Sequence, residues 1–262
     1  MPTPSVISQY QYSASINRRY WDQNYWYDTF QVNPCSCAVA GGSASGTAGH
    51  QNVLVTSGGI YQWYVIGTQT ALAPVLDSFG LNWAQTGTAG QGSELGVGIT
   101  SQSKEAFLVN ATPSQSNPNP SPAFFINTNW LVATVTGANP LIVGFRKAAA
   151  FNATLSSYTD FAAIGIYGTA GEIQTVTNYN NVGLVVTDTT VAATNAVPFQ
   201  LGVQVDNQGN VTYTYDWDAP AVSVAYAFQP NLTVVPFIRF TEASGAQTTQ
   251  ASINLFEVGF QS

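Results

Sequence analysis

Hydrolysis of a glycosidic bond takes two carboxyl groups facing each other about 5 to 9 Å apart, the separation setting the stereochemistry. On a strand, alternate residues point to one face. Asp216 and Asp218, either side of Trp217, are the only acids in this chain with that spacing. They end a hairpin and precede Ala219-Pro220, where turns favour aspartate for its local hydrogen bonds, so solvated turn acids are the plainer reading. Nucleophilic catalysis by serine or cysteine needs a base, and the one histidine, His50, stands in a glycine-rich stretch that offers no fixed geometry. Glu242 and Glu257 read as rim or strand-edge acids, and Glu94 and Glu105 as acids flanking a loop. The sequence therefore assigns no catalytic residue.

Metal chemistry is equally thin. Cys35-Ser36-Cys37 is too tight for an unstrained disulfide, because bridged Cα atoms favour a separation of about 5.5 Å with set side-chain directions. Two free thiols are the expectation, and zinc, which wants four ligands, finds only His50 to add. Calcium is the better match, since Asp206-Asn207-Gln208-Gly209-Asn210 gathers hard oxygen ligands in one turn. Asp206 and Asn207 are weak candidates, because a hairpin turn asks for the same residues, and no metal or cofactor is assigned. Packing against a sugar needs only an aromatic face, which Trp63, Trp83, Trp130 and Trp217 could each offer. Most tryptophans of a β-sandwich are core, so the glycan-contacting residue stays open.

Composition limits what these residues serve. Asp, Glu, Lys and Arg make up 7% of the 262 residues, against about 25% in an ordinary soluble domain, while hydrophobic content is a normal 45%. The surface is thus left to Thr, Ser, Asn, Gln, Gly and Tyr, which suit fixed assembly better than free diffusion at high concentration. Six basic residues, Arg18, Arg19, Lys104, Arg146, Lys147 and Arg239, face thirteen acids and a net charge of -7. Too few cations remain to neutralise a run of phosphates, which disfavours nucleic acid. No run approaches eighteen apolar residues, so no membrane span is expected. Met1-Pro-Thr-Pro-Ser-Val-Ile lacks a basic region followed by an apolar one and does not read as a signal peptide. An extracellular character without an export signal is reconciled by assembly in a host cytoplasm and release by lysis.

Residues 1–37 form an aromatic-rich arm, with Tyr10, Tyr12, Tyr20, Trp21, Tyr25, Trp26, Tyr27 and Phe30 beside the Arg18-Arg19 pair. Each ring offers apolar area to bury, so the arm is expected to dock and anchor. Residues 38–50 read as a Gly/Ser/Ala linker, and 51–262 as the main domain. Strands are predicted at 60–66, 75–83, 95–99, 106–109, 123–136, 141–146, 162–166, 173–179, 183–187, 222–228, 232–240 and 251–260. The best-specified element is the 199–215 hairpin, where Phe199, Leu201, Val203 and Val205 alternate with polar residues, turn at Asn207-Gln208-Gly209, and resume as Val211, Tyr213 and Tyr215. No helical stripe persists for three turns and no repeat of 20 to 50 residues is present. The fold class is all-β: an antiparallel sandwich or jelly roll with an extended N-terminal arm.

Leu141-Ile-Val-Gly-Phe-Arg-Lys147, Tyr158-Thr-Asp-Phe-Ala-Ala-Ile-Gly-Ile166, Ile173-Gln-Thr-Val-Thr177, the hairpin, Val234-Val-Pro-Phe-Ile-Arg-Phe240 and Leu255-Phe-Glu-Val-Gly-Phe-Gln261 follow one another in a familiar order. Over roughly residues 55–261 the chain resembles structural proteins of tailed, especially marine, phages with a concanavalin A-like lectin/glucanase sandwich. The glucanase family's Glu-x-Asp-x-x-Glu pattern is absent. The resemblance implies a virion protein, and capsid decoration, cement or a head fibre anchored to neighbouring virion subunits is the first reading. A glycan-binding tail-fibre or lectin-like adsorption protein, meeting a surface glycan, is the second, and a glycan-cleaving enzyme the third. A homo-oligomer with uncharged, salt-insensitive contacts is expected, and the resemblance makes a trimer the first choice.

Overall fold

The computed structural model describes residues 26–28, 38–40, 51–55, 60–66, 75–76, 79–84, 90–96, 106–110, 121–168, 171–242 and 250–261. Among them the strands are β1 (Trp26–Asp28), β2 (Ala38–Ala40), β3 (Gln51–Val55), β4 (Ile60–Ile66), β5 (Val75–Leu76), β6 (Leu81–Ala84), β7 (Gly92–Gly96), β8 (Phe107–Leu108) and β9 (Phe124–Val132). They continue as β10 (Ala138–Lys147), β11 (Phe161–Ile166), β12 (Glu172–Asn178), β13 (Leu184–Ala192), β14 (Phe199–Val205), β15 (Val211–Tyr215), β16 (Thr233–Glu242) and β17 (Gln250–Phe260). Two short 3-10 turns, Val135–Gly137 and Leu155–Ser157, are the helical elements of the described residues.

Two antiparallel sheets pack as a sandwich. One has the order β15-β14-β9-β17-β6-β5, and the other β13-β12-β11-β10-β16-β7-β4-β3-β2, with β8 also paired to β16. In β17, residues 250–253 pair with β6 and 256–258 with β1, so the two short strands share one edge of it. Part of the segment set apart as an arm therefore hydrogen-bonds to this chain's own sandwich. Ala38–Ala40, within the predicted linker, pairs with Val53–Val55, which needs backbone groups only.

The period of two decides which side chains meet. On β9, Phe124, Ile126, Thr128, Trp130 and Val132 face inward and their neighbours do not. On β10, Leu141, Val143 and Phe145 join this inter-sheet core, while Ile142 faces a second, outer cluster with Leu155, Tyr158, Phe161 and Phe237. Phe107 stacks on Phe124 at 4.7 Å, and Phe145 meets Phe124 edge-on at 4.9 Å. Fully burying side chains of this size contributes about 1.5–3 kcal/mol each.

Five predicted elements differ. The strand predicted over 123–136 ends at Val132 and gives way to the 3-10 turn Val135–Gly137, and the one predicted over 183–187 runs on to Ala192. Residues 75–83 fold as two strands, β5 and β6, paired as a hairpin. Residues 95–99 begin their strand earlier, at Gly92, which brings Glu94 inside it. Residues 222–228 are not a ladder strand. They run beside the start of β15, with a bridge at Asn210–Ala227, the Val211 amide donating to Tyr226 O and the Phe228 amide to Gly209 O, while the Val224 amide donates to Thr175 Oγ1 of the other sheet. Tyr226 and Phe228 are buried, so the alternation there records burial without strand pairing.

Candidate functional site

The β14–β15 hairpin forms as its sequence requires and ends in two different turns. At the first, Asp206 Oδ1 accepts from the Gln208 and Asn210 amides at 2.8 Å, and Oδ2 from Asn210 Nδ2 at 2.8 Å. Gly209 has a φ of +92°, and a Cβ there would lie 2.9 Å from Phe228 O, so only glycine fits. Partial burial acts to raise the Asp206 carboxyl, but hydrogen bonds from Asn210, Gln208 and Gly209 together hold it below the usual carboxylate range. These donors take up three of the carboxylate's lone-pair sites, so the turn itself accounts for Asp206 and Asn210. Asp206→Ala is expected to cost about 1 kcal/mol through the lost turn bonds. Because the folded carboxyl is depressed, its contribution is present above the ordinary carboxylate range and lost as pH falls through the folded value. Unfolding curves from acid to neutral pH check this, the variant converging on the parent at low pH.

At the second turn, Tyr215 and Asp218 exchange backbone hydrogen bonds in both directions across Asp216-Trp217. Both central residues are left-handed, with φ of 49° and 72°. A two-residue hairpin of this hand is ordinarily Asn-Gly or Asp-Gly. Aspartate tolerates the conformation; a bulky residue in it is an outlier, costing about 1–2 kcal/mol. The geometry is held by a clamp on β14. Asp216 N–H donates to Gln200 O at 3.0 Å, and Gln200 N–H donates to Asp216 Oδ1 at 2.8 Å. Beneath it, Tyr215 stacks on Phe199 at 6.0 Å, and burial, then the Asp216 charge, raises the Tyr215 hydroxyl. Trp217 is left 61% exposed, between exposed Asp216 and Asp218. The two acids belong to a turn, so strand alternation does not govern how they are aimed.

A second polar cluster lies on the outer face of the larger sheet. Glu94 is opposite Arg239 across β7 and β16; contrary to the loop-flanking expectation, it is 1% exposed. Glu94 Oε1 accepts from Arg146 Nε and Oε2 from Arg239 Nη1, both at 3.1 Å. The Tyr158 hydroxyl donates to the same carboxylate at 3.0 Å, and the Arg146 guanidinium lies 4.5 Å from the centre of its ring. Burial first, then the Glu94 charge, pushes the Tyr158 hydroxyl far up, so it stays protonated. The guanidiniums also donate to Lys147 O, Ala149 O, Asn152 O and Ala153 O, fastening residues 148–160 over the sheet. This cluster is closed to solvent and its chemistry is that of a fastening.

The remaining candidates separate by exposure. Trp130 is fully buried, its Nε1–H donating to Thr128 Oγ1 at 2.8 Å, and is core. Trp63 and Trp83 lie on β4 and β6, and nothing of their side chains is described. Glu242 ends β16, and Glu257 sits on β17 opposite Tyr27 and Asn127. Trp26 and Tyr27 are on β1; Tyr10, Tyr12, Arg18, Arg19, Tyr20, Trp21, Tyr25, Phe30, Cys35, Cys37, His50, Lys104 and Glu105 lie outside the described residues. Among the described residues no three His, Cys, Asp or Glu come together.

No family model matches the chain, and no curated protein matches it in sequence. Solved structures do. The Emp47p carbohydrate recognition domain is 10% identical, with a TM-score of 0.51 over 92% of this chain and 96% of that one. A protein of unknown function, SO2946 from Shewanella oneidensis MR-1, is 11% identical with a TM-score of 0.48, over 99% and 96%. The alginate lyase AlyC3 is 8% identical with a TM-score of 0.45, over 68% and 74%. At such identities the likeness is one of fold, and the fold of this chain is the concanavalin A-like, lectin-like β-sandwich.

Proposed function

We propose that this chain is a glycan-binding, lectin-like adsorption protein that holds its sugar against Trp217 without cleaving it. The observation that carries the reading is the left-handed, 61% exposed Trp217. Folding alone favours glycine at that position, and backbone strain kept at an exposed aromatic points to a contact made by the side chain. An indole face matches the apolar face of a sugar ring, and the flanking carboxylates are acceptors for its hydroxyls. Binding without cleavage is supported by Asp216, whose Oδ1 is engaged by the Gln200 amide and whose backbone is part of the turn. The fold shared with a carbohydrate recognition domain is compatible with this reading and does not carry it. The test is retention of the purified chain on a panel of immobilised oligosaccharides. Retention reversed by the same free sugar is expected; no retention on any member contradicts the proposal.

The phage resemblance supplies the setting, a particle surface with residues 1–25 as its fastening. Because β1 pairs with the chain's own β17, the informative truncation starts beyond the arm's first 25 residues and keeps Trp26–Asp28. Deleting 1–25 is expected to leave the melting temperature within about 2 °C while abolishing incorporation into particles. Normal incorporation, scored by immunoblot of purified particles, contradicts that part of the proposal.

A further inference from the structure

Resting on the assignment of Trp217 as the sugar platform, we infer that the glycan is one without carboxylate or sulfate groups. The turn that presents the indole carries Asp216 and Asp218, both exposed. A sugar acid stacked there would sit a few ångströms from two like charges. In water at low salt such a pair weakens binding by about tenfold for each acidic group brought close.

A site for acidic polysaccharide offsets such repulsion with cations, above all guanidiniums, whose fork matches a carboxylate. The described arginines are committed elsewhere. Arg146 and Arg239 are 1% and 3% exposed, both bonded to Glu94 and to carbonyls of residues 148–160. The third described cation, Lys147, lies 3.9 Å from Asp160 at the end of β10. The chain as a whole carries -7, so its long-range field also repels a polyanion. A neutral sugar meets none of this. Its hydroxyls donate to carboxylate oxygens, and its ring face covers the indole.

The test measures binding of the full chain to neutral oligosaccharides, namely β-glucan, mannan and N-acetylglucosamine oligomers, and to alginate, polygalacturonate and a sulfated galactan. Measurements are made at about 20 mM and about 1 M salt, each with Trp217→Gly as control. The expected result is Trp217-dependent binding to a neutral glycan, with every acidic glycan at least tenfold weaker at low salt. Tight, Trp217-dependent binding to an acidic glycan overturns the inference while leaving the turn as the sugar site. Binding to no glycan, or binding that Trp217→Gly leaves unchanged, overturns both.

Discussion

Glu94→Ala is expected to lower the stability of the sandwich by about 3–5 kcal/mol, because it strips the counter-charge from two buried guanidiniums. The melting temperature should fall by roughly 6–20 °C, taking about 2–4 °C per kcal/mol for a chain of this size. Arg146 and Arg239 cannot turn outward to water without releasing the carbonyls of Ala149, Asn152 and Ala153 that they hold. Residues 148–160 should therefore loosen before the sheets part, which hydrogen exchange would register as lost amide protection there. A buried ion triad can often be replaced wholesale by apolar side chains at no cost. Here the triple variant Glu94→Leu, Arg146→Met, Arg239→Met is expected to recover much of the stability while residues 148–160 stay loosened, because Ala149 and Ala153 are exposed and their carbonyls can exchange the lost guanidinium donors for water. Tyr158→Phe is the milder probe, removing one charge-assisted hydrogen bond worth about 1.5–3 kcal/mol.

The elements that were legible in the sequence are those whose signals are local. β4 spans the predicted 60–66, and β14 and β15 fill the predicted hairpin, since strict alternation and an Asp-Asn-Gln-Gly turn specify both faces and the register at once. The Glu94 cluster was not legible, for two reasons. Gly92-Ser93-Glu94-Leu95-Gly96 has one apolar side chain in five, so β7 carries no alternation of its own. Its partners are also remote, 52 and 145 residues away, and only the strand order β10-β16-β7 brings them together. The scarcity of charge in the composition gives no hint that four of the described charged residues, Glu94, Arg146, Asp160 and Arg239, are buried. Trp217 was visible as a residue type among four candidate tryptophans. Its exposure was not, because Asp-Trp is a poor statistical match to a left-handed two-residue turn, and the clamp to Gln200 that enforces one is a tertiary contact.

Trp217→Gly separates folding from function more sharply than any other substitution in this chain. Glycine suits the left-handed position, so the turn loses a strain of about 1–2 kcal/mol, partly offset by the greater freedom of glycine in the unfolded chain. The net gain should be about 1 kcal/mol, a rise of about 2–4 °C in melting temperature. A buried tryptophan would behave in the opposite way; Trp130→Gly, for instance, removes a core side chain and should cost at least about 3–5 kcal/mol. For binding, an aromatic anchor at the centre of a contact is typically worth about 2 kcal/mol or more, so affinity for the glycan should drop by at least about thirty-fold. The decisive measurement is thus a paired one, glycan affinity and melting temperature of Trp217→Gly beside the parent chain. The account predicts that affinity falls at least about thirty-fold while the melting temperature rises; unchanged affinity, or a melting temperature that falls together with it, would contradict the account.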